Sequence, residues 1–221
     1  MVAGARMLGI QLEKEDVAAF RVYREEILRW SKRMNLTGLV SAEDIVRNGF
    51  LDSLSCAAVL PLGSGEVLDV GSGAGFPAIP LALTRPTLQF TLIEPTRKKV
   101  TFLRHAVRAL KLANVQVRLA RLEALLPENS ISPGFDVAMA RAVAPLETIG
   151  QMVLPFLKPG GIFVAQTGSL TTIHEALGRL RQAGFDLLKE YALPEDFGTP
   201  GRHVLALRKV SARVTAVQCF T

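Results

Sequence analysis

"EVLDVGSGAGFPAIPL", residues 66–81, places Gly71, Gly73 and Gly75 within five positions, directly after a run that reads as a buried strand. A glycine inside a regular element costs roughly 0.5–1 kcal/mol relative to alanine, so three together mark a backbone shape, or a neighbour, that tolerates no Cβ. Around this loop the chain repeats short apolar runs: VLDV, LQFTLI, VQVRL, FDVAMA, GIFVAQ, DLLKEYAL and HVLALRK. Helical patterns fall between them near 77–84, 97–111, 145–157 and 172–183. Strands alternating with helices predict an α/β fold built on a doubly wound, mostly parallel sheet of seven strands. Only the Pro/Gly loop "PEDFGTPGR" joins the last two runs, so the final strand is expected to return antiparallel as a hairpin. "KPGG", 158–161, reads as a turn before the fifth strand.

Upstream of the loop the pattern is helical. Residues 13 to 33 carry Val17, Phe20, Ile27 and Trp30 near the helical period with charges between them. Ser41 and Asp44 resemble a capping box that opens a second helix over 42–60, and Pro61 and Gly63 close it. The expected organisation is therefore an N-terminal helical extension, 1–63, packed on an α/β domain, 64–221.

Composition excludes several classes. A chain of 221 residues, 49% apolar, buries a sizeable core and is not disordered. No apolar run approaches the roughly 18 residues of a membrane span, and the charged first 30 residues carry no secretory h-region. A soluble cytoplasmic protein is expected, with no membrane partner. Cys56 and Cys219 share no motif spacing, so neither a disulfide framework nor a metal cluster is implied. The net charge is +6, yet Arg97 to Leu122 alone holds eight basic residues and no acidic one. A one-sign run of that length suits a polyanion partner, with a solvated helix face as the alternative. Arg208, Lys209 and Arg213 form a smaller basic cluster at the C-terminal end.

A glycine loop after the first strand of such a sheet lets a nucleotide-like ligand approach bare backbone. Asp69, two residues before Gly71, can accept from backbone or ligand donors. Glu94 ends the second strand, 19 residues after Gly75, where it suits the two hydroxyls of a ribose. A dinucleotide is the competing ligand, but its G-x-G-x-x-G/A fingerprint places the third glycine one position later than here, and Asp69 would repel a pyrophosphate. A cationic sulfonium tolerates that field. The D-x-G-x-G-x-G run with its downstream acid is similar to the motif of S-adenosylmethionine-dependent methyltransferases, and Pro77 and Pro80 suit the first helical turn.

The acceptor is narrowed by what is missing. The segment after the fourth strand reads "ARAVAPL", 140–146, without the Asn/Asp-Pro-Pro-aromatic run of amine methylation, and neither cysteine stands where a ring-carbon nucleophile is needed. His105 sits in the basic helix, where packing or surface exposure is its ordinary fate. A ring nitrogen with a free lone pair, such as guanine N7, needs positioning and no general base. Arg141 follows the fourth strand and is expected on the substrate side as the catalytic candidate, holding a carboxylate, a phosphate or O6; a salt bridge to Asp136 or Glu147 is the structural alternative.

With these residues assembled, the chain resembles the ribosomal RNA small-subunit methyltransferase G family, also called RsmG or GidB. The resemblance runs through "WSKRMNLTGL" (30–39), "FLDSL" (50–54), "DVGSGAGFPAIPLAL" (69–83), "KKVTFLRH" (98–105), "ARLEAL" (120–125), "ARAVAPL" (140–146) and "GRHV" (201–204). It implies a Rossmann-like class I fold and methyl transfer from S-adenosylmethionine to guanine N7 in the 530 loop of 16S rRNA, at conventional position 527. The implied partner is 16S rRNA or the 30S subunit, and a metal-free monomer is expected. By position, the resemblance assigns the donor to Gly71, Phe76, Leu122, Glu123 and Arg141, to which the reading of the residues adds Asp69, Gly73, Gly75 and Glu94. Arg97, Lys98, Lys99, Arg104 and Arg202 are the candidates for RNA phosphates. The chain departs from the family pattern at Asn48 and Gly49, where a basic residue and a histidine are common, and at Thr167, where a lysine is common. The alternatives are a small-molecule methyltransferase and a non-enzymatic RNA-binding assembly module.

Overall fold

The computed structural model describes residues 1–60, 63–125, 134–141, 143–168, 170–193 and 201–210, without the side chains of 170–172 and 174. Pro61, residues 194–200 of the expected hairpin loop, Arg213, Cys219 and the side chain of His174 lie outside that description.

The seven apolar runs form seven strands: β1 (Gly65–Val70), β2 (Leu88–Glu94), β3 (Val115–Leu119), β4 (Phe135–Arg141), β5 (Leu157–Thr167), β6 (Phe185–Ala192) and β7 (His203–Lys209). They make one sheet in the order β3-β2-β1-β4-β5-β7-β6. The strands from β3 to β5 pair in parallel, while β7 runs antiparallel between β5 and β6. Strand β5 begins earlier than the "KPGG" turn suggests. Leu157 already pairs with Phe135, and the extra residues are taken up by a shift in register before Ile162 meets Val137.

Alternation along each strand divides the core between two faces. Val67, Val137 and Met139 point to one face, with Phe20, Tyr23, Ile27, Ile79 and Phe102. Leu68, Val70, Ala138 and Ala140 point to the other, with Ile149, Val153, Phe156 and Leu180. Each such aliphatic or aromatic side chain contributes roughly 1.5–3 kcal/mol when fully buried, so strands covered on both sides read as nearly continuous apolar runs.

The helices follow in chain order: α1 (Val2–Met7), α2 (Lys14–Ser31), α3 (Ala42–Asp44), α4 (Asp52–Ser55), α5 (Ala78–Thr84), α6 (Arg97–Ala109), α7 (Leu146–Val153) and α8 (Leu170–Gln182). Helix α1 is too short to carry a periodic signal. The predicted stripe of α2 is realised with Tyr23 added to Phe20 and Ile27, all buried. The apolar core runs without a break from Ala5 and Phe20 of the lead-in to Val67 and Leu92 of the sheet.

The expected single helix over 42–60 is divided. Ser41 Oγ does accept from the amide of Asp44 at 3.0 Å. After α3, however, residues Ile45–Leu51 form a π-helical turn, and a 3₁₀ turn, Cys56–Ala58, ends the segment. The wide turn is held by distant partners: Arg141 donates to the carbonyl of Asn48 at 2.6 Å. A Cβ on Gly49 would stand 2.7 Å from Cζ of Phe76, so the aromatic ring fills the space that a side chain there would need.

Candidate active site at the carboxyl edge of the sheet

Strand order reverses between β1, whose crossover leads to β2, and β4 on its other side, which makes the carboxyl ends of these strands the switch point where open α/β sheets bind ligands. The glycine loop lies there. Gly71, Gly73 and Gly75 all have positive φ, at 68°, 57° and 94°. A Cβ on Gly71 would meet Val143 at 2.7 Å, and one on Gly75 would meet Ile79 and the Tyr23 hydroxyl at 2.5 Å. Around Gly73 the nearest atom to such a Cβ is the carbonyl of Gly71 at 3.8 Å. Two of the glycines are therefore required by the protein itself, and the third faces open space.

Backbone and carboxylate partners fix the loop. The carbonyl of Ile93 accepts from the amides of Gly71 and Ser72 at 2.8 and 3.2 Å. Glu94, 3% exposed, accepts from the amide of Gly73 at 2.9 Å through Oε2 and from that of Thr96 at 2.8 Å through Oε1. Each oxygen keeps a further lone pair. Tyr23, reaching across from α2, donates to the carbonyl of Ala74. Burial pushes its phenol well above the ordinary range, and Asp69 adds to the shift.

Asp69 is fully buried, and neither carboxylate oxygen has a hydrogen-bond partner. Burial raises its pKa to about 7; the neighbouring Ser72 hydroxyl, whose hydrogen bond at 3.2 Å goes to the Asp69 backbone carbonyl, and Arg141 oppose the shift, and Glu94 reinforces it. An unpartnered buried carboxylate is expensive unless a donor or cation reaches it or a proton neutralises it.

Two cavities open along this edge. One, of about 340 Å³, is walled by Val70 and Gly71 after β1, Ile93 and Pro95 after β2, Ala120 to Glu123 after β3, and Val143, Ala144, Thr148 and Met152. The second, of about 350 Å³, lies between the ends of β4 and β5 and includes Leu146, Gln166, Thr167, Gly168 and Arg202. Val143 and Ala144 belong to both, so the two adjoin.

Of the residues expected at the donor site, Gly71, Leu122 and Glu123 share the first cavity, while Asp69, Gly73 and Glu94 lie in and under the adjoining loop. Phe76 and Arg141 face elsewhere. The Phe76 ring packs with Tyr23 and Phe50 at centroid distances of 5.9 and 6.1 Å, and the Arg141 guanidinium lies 5.6 Å from its centre. Asp136 and Glu147, the expected structural partners of Arg141, pair instead with Lys158 and Arg179.

Arg141 is held by Asp52, which no sequence motif singles out. The Asp52 carboxylate is wholly buried and lies 3.1 Å from Arg141 Nη1 and 3.2 Å from Arg202 Nη1. Gln166 donates to its backbone carbonyl at 2.7 Å. Burial raises the Asp52 carboxyl while both guanidiniums oppose, and burial lowers Arg141 while Asp52 opposes. Two cations facing one carboxylate leave this junction electropositive beside the second cavity. The available signal was an acid inside the apolar "FLDSL" run. Arg202, expected at the RNA surface, is partly drawn inward by this pair.

The other basic candidates keep their expected surface position: Arg97, Lys98 and Arg104 are exposed on α6, with Lys99 half-buried. His105 is structural, its Nε2 lying 2.7 Å from Glu26. His203 pairs with Glu190 at 2.9 Å.

The fold is that of the S-adenosylmethionine-dependent methyltransferases. Similar solved structures include a SAM-dependent methyltransferase from Aquifex aeolicus, with TM-score 0.58 and 16% identity over 72% of this chain and 90% of that one. The [4+2]-cyclase SpnF also matches, with TM-score 0.58 and 21% identity over 72% and 80%. The family described as rRNA small subunit methyltransferase G matches residues 16–195. Relatives of that name include one from Caldanaerobacter subterraneus, 34% identical over 95% of this chain and 89% of the relative, and one from Deinococcus deserti, 42% identical over 77% and 70%. The chain belongs to the rRNA small subunit methyltransferase G family.

Proposed function

We propose that the protein transfers a methyl group from S-adenosylmethionine to N7 of a guanine in the 530 loop of 16S rRNA, presented as RNA or as the 30S subunit. The observation that carries this reading is the cavity beside the glycine loop at the switch point, walled by Gly71, with the unpartnered carboxylate of Asp69 beneath that loop. The residues present fit the donor. Apolar walls from Val70, Ile93, Leu122 and Met152 suit an adenine ring, and the volume of about 340 Å³ falls within the range of small-ligand sites. Gly71, Leu122 and Glu123 would hold the nucleoside, Glu94 keeps lone pairs for ribose hydroxyls, and Asp69, buried beneath the loop, would act on a cation through its field without touching it.

When bound, S-adenosylmethionine supplies a methyl group on a sulfonium centre, an electrophile open to attack by a lone pair. The chain's own work is to position the reactants. Guanine N7 presents a lone pair without losing a proton, so no side chain need act as base. Among the described residues, no histidine or cysteine lines either cavity, which supports such an acceptor. The second cavity, bordered by Gln166 and Arg202, is the place for the base, and the Asp52 junction, which also binds Arg141, fixes Arg202 at its rim. The exposed cations of α6 supply phosphate contacts. The protein is taken to work as a metal-free monomer in the cytoplasm; among the described residues no helix is long and apolar enough to cross a membrane.

The test is transfer from labelled donor to 30S subunits that lack the modification, followed by chemical cleavage at 7-methylguanosine. Label is expected at one guanine of the 530 loop. Label confined to small metabolites, or at another ring position, refutes the assignment.

A further inference from the structure

We propose that the RNA strand is also gripped at a second place, a cavity of about 460 Å³ between the end of α2 and the first turns of α6, where a base stacks on Trp30 and its flanking phosphates meet Arg33 and Lys98. This rests on the rRNA reading above and adds a site to it. The cavity is lined by Arg29, Trp30, Arg33, Met34, Lys98 and Thr101, with no acidic side chain among them. Arg29 is already paired with Glu26. Arg33 and Lys98 are exposed and have no acidic partner among the described residues. The Trp30 ring is fixed from behind, meeting Phe102 edge-on at 5.6 Å and His105 at 5.3 Å.

A flat aromatic platform between unneutralised cations matches a nucleotide of a single strand, which carries one π-face and one negative charge per residue. A bare phosphate would leave Trp30 and Met34 unused, and an apolar ligand would leave two charges uncompensated. Helix α6 starts three residues after Glu94, so Lys98 and Thr101 of this cavity stand in the first turns beyond the carboxyl end of β2.

Trp30 is the only tryptophan of the chain, so its fluorescence reports this cavity directly. Titration of the full chain with oligouridylate, which has no secondary structure of its own, is expected to quench that emission. With two phosphates engaged at a slope of about 0.7 each, affinity should fall about sevenfold between 50 and 200 mM salt. Trp30→Ala is expected to weaken binding at least fivefold and Trp30→Phe to restore most of it. Arg33→Ala and Lys98→Ala, both surface changes, should each flatten the salt slope while S-adenosylhomocysteine still binds as in the parent. Unaltered fluorescence at saturating oligouridylate, or parental RNA affinity in both cation variants, overturns the proposal. Uridine monophosphate binding as tightly as the strand also overturns it, in favour of a free-nucleotide site. Methyl transfer to 30S subunits with an unresponsive Trp30 would sink this site and spare the proposed reaction; quenching without transfer would do the reverse.

Discussion

The Oδ2 atom of Asp52 lies 3.1 Å from Nη1 of Arg141, joining the helical lead-in to the end of the fourth strand inside the molecule. The same oxygen stands 3.2 Å from Arg202 at the entry to β7. One buried carboxylate thus ties three segments that are far apart in the chain, at the rim of the proposed acceptor cavity.

Removing that charge is expected to be costly. Asp52→Asn keeps the shape but strands two guanidiniums in a largely buried setting, and breaking a buried pair costs about 3 kcal/mol or more. Urea unfolding near pH 7.5 measures the loss. A change under about 1 kcal/mol would show that the carboxyl is neutral in the parent and that the junction contributes little.

Arg141→Ala should lower methyl transfer at least tenfold, because it removes one of the two partners of Asp52, which positions Arg202 at the cavity, and the donor to the Asn48 carbonyl that helps hold the π-helical turn. Arg202 stays available to Asp52, so the fold is expected to persist. Single-turnover transfer to 30S subunits reads the effect, and near-parental rates would assign Arg141 a purely structural role.

The glycine loop separates steric need from ligand approach. Gly71→Ala drives a Cβ to 2.7 Å from Val143 at a φ of 68°, and should cost about 2 kcal/mol or more in stability. Gly73→Ala meets open space at a φ of 57°, so only the left-handed backbone term of about 1 kcal/mol applies. If the donor lies against this backbone, Gly73→Ala should nevertheless weaken S-adenosylhomocysteine binding tenfold or more by calorimetry. Parental affinity would place the ligand elsewhere.

Stability should fall as pH rises through the range set by Asp69. Its folded pKa of about 7 lies above the ordinary 3.8, so the folded chain keeps a proton that the unfolded chain releases. The contribution is full below about pH 4 and is lost by about pH 7, a change of up to about 4 kcal/mol from this group. Asp52, raised in the same direction, adds to the slope. Asp69→Asn should flatten the profile and exceed the parent in stability at pH 8; parallel profiles in urea would contradict the shift.

Much of this architecture was legible in local pattern. The alternating apolar runs gave the strands, their spacing gave the crossover helices, and the loop-only connection before β7 gave its antiparallel return. Gly71, Leu122 and Glu123, which the family resemblance assigns to the donor, lie together in one cavity beyond β1 and β3. The contacts of Phe76 and Arg141 with Tyr23, Asn48 and Asp52 follow from no local pattern, because those partners come from segments distant in the chain. The division of the 42–60 helix was equally hidden, since its apolar spacing fits a regular helix and the partners that hold it open, Phe76 and Arg141, come from later in the chain.

The sequence by itself determined the order of elements and the need for a bare backbone after β1, because periodicity and Cβ sterics act within a few residues. Tertiary structure alone decided that Asp52 holds two arginines, that Asp69 is sealed without a partner, and that Trp30 shares a cavity with Lys98. Those relations depend on which surfaces meet when distant segments pack, and burial then sets the charge state and partners that no local pattern encodes.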